Sequence, residues 1–188
     1  MIQARLAAPR RAMRVTGLVL AAALLRAILL PAGDLLSTAV FGACLLVISV
    51  SEAGPRDERV WGRGRAVVVG LLIGGVLLAP VVTGRLSTRP LADFWTWAAI
   101  AAMIATLEET AIRGALYQRW AEEAGPLAAI VAGAAVFALI HLPRYGLTAM
   151  PLDAAVGLAL GGLRAVSGRV LPCAIAHTIG DWGAWFWA

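Results

Sequence analysis

The chain has 188 residues, of which 61% are hydrophobic and 14% charged, against roughly 45–50% and about 25% in soluble domains. A chain this small cannot enclose that much apolar surface in a water-facing globule, so the bilayer is its natural solvent. The net charge of +5 comes from sixteen basic residues, all arginine; they flank apolar runs without forming a basic face or an aromatic-interleaved platform, which excludes nucleic acid as a partner.

The first apolar run, Val15–Leu30, follows Arg5, Arg10, Arg11 and Arg14, and Ala21, Ala22 and Ala23 give it some likeness to a cleavable leader. Apolar sequence continues past those alanines and more runs follow, so a retained first span is expected. Six further runs come at Leu35–Val50, Ala66–Val82, Leu91–Trp120, Pro126–Leu142, Pro151–Arg164 and Val170–Trp187. Each approaches the ~20 residues of a spanning helix, although the first and sixth are short. Backbone groups in lipid must be satisfied within the segment, so the spans are helices. The expected fold is an all-α polytopic membrane helix bundle of about seven transmembrane helices (six to eight), with residues 1–188 forming a single integral membrane domain and no internal repeat.

Loop arginines set the orientation. With the N-terminus inside, Arg5, Arg10, Arg11, Arg14, Arg56, Arg59, Arg63, Arg65, Arg119, Arg164 and Arg169 fall on the inner side, and only Arg85, Arg89 and Arg144 on the outer. A cytoplasmic N-terminus and, after seven spans, an external C-terminus are expected. The absence of lysine points to a GC-rich bacterial genome, hence to the bacterial inner (cell) membrane. Trp182, Trp185 and Trp187 read as an interfacial aromatic belt. Cys44 and Cys173 lie in apolar runs and offer neither a disulfide framework nor zinc-finger spacing.

Three polar clusters interrupt the spans. Glu108, Glu109 and Arg113 lie within the fourth run, where each charge costs roughly 2.5–3.5 kcal/mol on insertion scales. Glu109 and Arg113 are four apart on one helical face and form a structural ion pair. Glu108, rotated about 100° from Glu109, stays free for another task. His141 ends the fifth run one turn after Phe137, and His177 precedes Asp181 by one turn in the last. Counted at ~1.5 Å per residue from a turn at 121–126, Glu108 and His141 lie about 20 and 22 Å deep; Asp181 and His177, counted from Val170, lie about 16 and 10 Å deep. Any one cluster has a plain structural reading, whether an ion pair, an interhelical hydrogen bond or an interfacial carboxylate. Cys173, one turn before His177, also raises a Cys/His nucleophilic pair, although buried cysteine is usually inert. The three clusters together point to a polar site inside the bilayer.

The order of motifs resembles the CAAX protease and bacteriocin-processing family (CPBP, or Abi), which includes the type II CAAX prenyl endopeptidases. Glu108-Glu109-x-x-x-Arg113-Gly114-x-Leu116 is similar to its first motif, Phe137-x-x-x-His141 to its second, and Ser167-Gly168 through His177-x-x-x-Asp181 to its third. The likeness covers residues 94–187, the expected peptidase core. It implies an intramembrane endopeptidase in which Glu108 and His141 activate water, while His177 and position 181 support the tetrahedral intermediate. The family carries Asn where this chain has Asp181, and a carboxylate donates to an oxyanion only when protonated. The implied substrate is a membrane-associated protein or peptide. The family also implies chemistry without a cofactor or metal; Glu108, His141 and His177 as zinc ligands with an open water position are the alternative. Two other classes remain: a non-catalytic immunity or scaffold protein of the same fold, and a proton-coupled transporter, since intramembrane Glu and His also build proton relays.

Overall fold

In a computed structural model, residues 9–53, 60–78 and 91–186 are described. They form an all-helical membrane bundle, with no strand among the described residues. The elements are α1 (Arg10–Leu29), α2 (Asp34–Ser51), α3 (Arg63–Leu77), α4 (Leu91–Glu109), a π-helical stretch (Thr110–Leu116), α5 (Tyr117–Ala124), α6 (Pro126–Tyr145), α7 (Met150–Ser167) and α8 (Leu171–Trp185). With α4, the π-stretch and α5 read as one rod, the described residues form seven rods, one in each of the seven expected segments. Among the described residues, three pieces are long and apolar enough by themselves to cross a membrane: Arg10–Ala32, Asp34–Ser51 and Pro126–Tyr145. The end of the third run, beyond residue 78, lies outside the described residues, as do Arg5, Arg56, Arg59, Arg85, Arg89 and Trp187.

The bundle wears its apolar side chains outward. Ile28, Leu35, Val50, Leu72, Leu127 and Leu152 are all more than half exposed, which water would penalise and lipid does not. Inside, one apolar cluster joins α1, α2, α4, the π-stretch and α6 through Val19, Phe41, Ile104, Ile112 and Phe137. A smaller one joins α7 to α8 through Leu160, Leu163, Cys173 and Ala176.

With no aqueous driving force between helices, close approach depends on small residues. Two small-x-x-x-small pairs supply it. A Cβ on Gly157 would lie 2.8 Å from Ala134 Cα, and one on Gly161 would lie 3.1 Å from Ile130, so α7 packs backbone-close on α6. Gly70 and Gly74 do the same for α3 against Pro172 and Ile179 of α8. These pairings, α6 on α7 and α3 on α8, are the most extensive in the bundle.

The first run proves longer than expected because its start is capped from afar: Glu123 of α5 accepts from the backbone N–H groups of Arg11 and Ala12, as a carboxylate at a helix N-terminus should. The sixth run is also longer, an 18-residue helix. Trp182 and Trp185 are not a simple belt. Trp182 Nε1 donates to Ala98 O, and the Trp185 ring packs 4.9 Å from that of Trp97, so they lock α8 to α4.

Candidate active site

The charged motif of α4 sits where the helix changes its winding. Thr106 and Thr110 turn their hydroxyls back onto the carbonyls of Ala102 and Thr106, a contact that loosens helices. Arg164 Nε of α7 takes Arg113 O as its acceptor at 2.7 Å. A carbonyl bound from outside the helix accommodates the wider π-turn, a feature often found at functional sites. Arg113 still reaches back one turn: its Nη1 donates to Glu109 Oε1 at 2.9 Å, with both side chains buried. Arg113 Nη2 donates to Gly157 O, and the guanidinium lies 4.7 Å from the Phe137 ring centre.

Glu109 does more than pair with Arg113. Its Oε1 also accepts from His177 Nδ1 at 2.9 Å, so the expected structural ion pair also orients an imidazole of α8. Phe137 has a parallel role, because its carbonyl accepts from His141 Nδ1 at 2.7 Å. Both acceptors lack a proton to give, so each imidazole carries its proton on Nδ1 and, when neutral, presents a bare Nε2.

The two Nε2 atoms face the same carboxylate oxygen. Glu108 Oε2 is 3.8 Å from His141 Nε2 and 3.8 Å from His177 Nε2, and the three residues offer ligand atoms within 4.8 Å of one another. Glu108 and His177 are buried and His141 nearly so. Asp181 Oδ1 lies 3.5 Å from His177 Nε2 and is about one-third exposed. All four sequence candidates therefore meet. Residue counting sets Glu108 and His177 about 10 Å apart in depth, yet the two side chains meet at 3.8 Å. Cys173 is buried, and its thiol donates to Leu160 O of α7.

Separations of 3.8 Å are too long for direct hydrogen bonds, yet an oxygen about 2.8 Å from each atom fits over this triangle. Zinc, with ligands at about 2.0–2.2 Å, would draw the three closer together. The donor set suits zinc in kind, since each imidazole is held through Nδ1 by a carbonyl or carboxylate, as second-shell partners of metal-bound histidine are.

Two cavities open onto the site and share His141, Tyr145, Asp181 and Ala184 as a common wall. The smaller, about 350 Å³, is lined by Arg26, Asp34, Thr38, Trp97, Glu108 and Arg144. The larger, about 680 Å³, is mostly apolar, with Leu77, Phe137, Leu152 and Val156, and carries Asp153. At the mouth of the smaller one, Arg144 and Asp34 form a two-pronged ion pair at 2.6 and 3.2 Å.

Sequence reasoning passed over three of these residues. Arg26 of α1 brings Nη1 to 4.0 Å from Glu108 Oε1; an arginine inside the first apolar run was the available signal. Tyr145, one turn after His141, stacks on its ring at 5.7 Å between centres. Asp153, in the first turn of α7, was visible only as one acid in a short run.

A family model described as type II CAAX prenyl endopeptidase Rce1-like matches residues 90–183. The match takes in Glu108, Glu109, Arg113, His141, His177 and Asp181, and leaves α1 to α3 outside. Comparisons with curated proteins and with solved structures find no match.

Proposed function

The chain belongs to the type II CAAX prenyl endopeptidase Rce1-like family of membrane proteases, and from that premise we propose that it hydrolyses a peptide bond of a membrane-associated substrate with water activated by Glu108 and His141. The observation that carries the reading is the convergence of Glu108 Oε2 with two imidazole Nε2 atoms at 3.8 Å each. Glu108 Oε2 and the bare Nε2 of His141 are two acceptors aimed at one point, so a water held there has its protons directed at bases. His177, when protonated, faces the same point as a donor.

In the reaction, Glu108 with His141 takes a proton from the water as its oxygen attacks the scissile carbonyl. His177, carrying a proton on each nitrogen and held through Nδ1 by Glu109, turns Nε2–H toward the oxyanion that forms. Asp181 adds a donor to that oxygen when protonated. The proton held by Glu108 then passes to the leaving amine. The surrounding apolar side chains strengthen each of these electrostatic contacts. The larger cavity has the size and apolar lining of a ligand site, and it suits the hydrophobic part of a substrate drawn from the membrane.

A second reading has its own support in the Nδ1 contacts of both histidines: Glu108, His141 and His177 would hold zinc, which supplies Lewis acidity toward the carbonyl. The arginine pattern supports a multi-pass protein of the bacterial cell membrane with a cytoplasmic N-terminus. The deciding experiment is comparative proteomics of membrane-protein termini in wild-type and Glu108→Ala strains. New termini present only with the wild type identify substrates. Identical termini, together with no hydrolysis in proteoliposomes, would favour an immunity or scaffold protein; solute flux there would favour a transporter.

A further inference from the structure

Glu108 is approached by three positive or protonatable groups, and they divide its two oxygens. Oε2 faces the imidazoles; Oε1 faces Arg26 Nη1 at 4.0 Å. Arg26 belongs to α1, outside the segment matched to the family. Its side chain is 13% exposed, its guanidinium lies 4.9 Å from the Phe41 ring centre, and it lines the smaller cavity. Cation–π contact with an aromatic face fixes the plane of a guanidinium without using its N–H groups. Those groups make no hydrogen bond to the described residues, so they remain directed at the cavity and the Glu108 carboxylate.

A cation in the last turn of α1 also complements that helix's dipole. That role needs only charge near the terminal carbonyls. It does not need the guanidinium turned inward beneath a ring and onto the carboxylate proposed as base.

We propose that Arg26 is a positioning residue for Glu108: its positive charge, 4.0 Å from Oε1, orients the carboxylate so that Oε2 faces the water between His141 and His177. This inference rests on the function proposed above and adds a part to it from the N-terminal helices. Arg26 touches neither the water nor the scissile bond, so it should govern turnover rather than substrate binding. Misplacement of a catalytic group by about 1 Å costs up to about 10²-fold in rate.

The test uses full-length protein in proteoliposomes and a membrane peptide that the wild type cleaves. Arg26→Ala and the longer Arg26→Gln should each lower kcat about 10- to 100-fold, with KM within about twofold and an unchanged unfolding temperature. Ethylguanidinium should restore part of the kcat of Arg26→Ala by entering the vacated space, and ethylammonium should restore less; Arg26→Lys should fall between wild type and Arg26→Gln. Unchanged kcat in a folded variant overturns the inference, as does a raised KM at normal kcat, which would make Arg26 a substrate-reading residue. Lost turnover without guanidinium rescue and with a lowered unfolding temperature overturns it in favour of a structural role. Cleavage surviving in Glu108→Gln would instead sink the underlying function.

Discussion

Glu109 Oε1 stands 2.9 Å from Arg113 Nη1 and 2.9 Å from His177 Nδ1, so one buried oxygen joins the ion pair of α4 to the imidazole of α8. Removing that charge has two consequences. In Glu109→Gln, Arg113 stays buried without its counter-ion, and breaking a buried pair this way costs about 3–5 kcal/mol. Membrane abundance and unfolding temperature should both fall. Adding Arg113→Gln should recover part of the abundance but not activity, because His177 still lacks its carboxylate. Recovery of activity in the double variant would deny Glu109 any role in orienting His177.

The helix crossings that bring α7 and α8 under the site rest on glycine. Gly157→Ala would press a methyl to 2.8 Å from the Ala134 backbone, and overpacking of this kind costs roughly 1–3 kcal/mol. Gly162→Ala, five residues on in the same helix, has nothing within 4 Å of the new methyl and should leave thermal unfolding in detergent unchanged. Equal effects of the two substitutions would contradict this account of the packing.

Much of this was legible in the primary structure, and the gaps have physical causes. Helices in lipid announce themselves by apolar length alone, so seven segments were visible, and each holds one of the seven rods of the described residues. Glu108, His141 and His177 stood out because ionisable side chains are rare in such segments. The second contact of Glu109 was hidden, because i, i+4 spacing reveals a partner on the same helix and not one across the bundle. Arg26, inside the first apolar run, went unread because arginine in this chain reads as charge flanking the spans. The π-stretch is met by a hydrogen bond from Arg164, fifty-one residues away in sequence, which no local pattern encodes. The start of α1 moved for the same kind of reason, being capped by Glu123.

The orientation proposed from arginine counts is checked by reporter fusions. A reporter placed within residues 51–65 should report the cytoplasm, and one after Ala188 the opposite side. Both on the same side would mean that the number of crossings differs by one.

Metal dependence separates the two readings of the Glu108, His141 and His177 triangle. Purified protein should keep its peptidase activity after exhaustive chelation and carry no stoichiometric zinc by elemental analysis. Reversible loss of activity, restored by zinc, would transfer the three residues from water activation to ligation.

The most direct test of the central claim is single-turnover cleavage of a membrane peptide by Glu108→Gln, measured beside its membrane abundance. Glutamine keeps the size of the side chain and removes its basicity; loss of a general base typically costs about 10²–10⁴-fold in rate. The account predicts a loss of that size in a protein that inserts and accumulates normally, with His141→Ala and His177→Ala behaving alike and Cys173→Ala remaining active. Near-normal turnover by Glu108→Gln, or a folded but inactive Cys173→Ala, would contradict it.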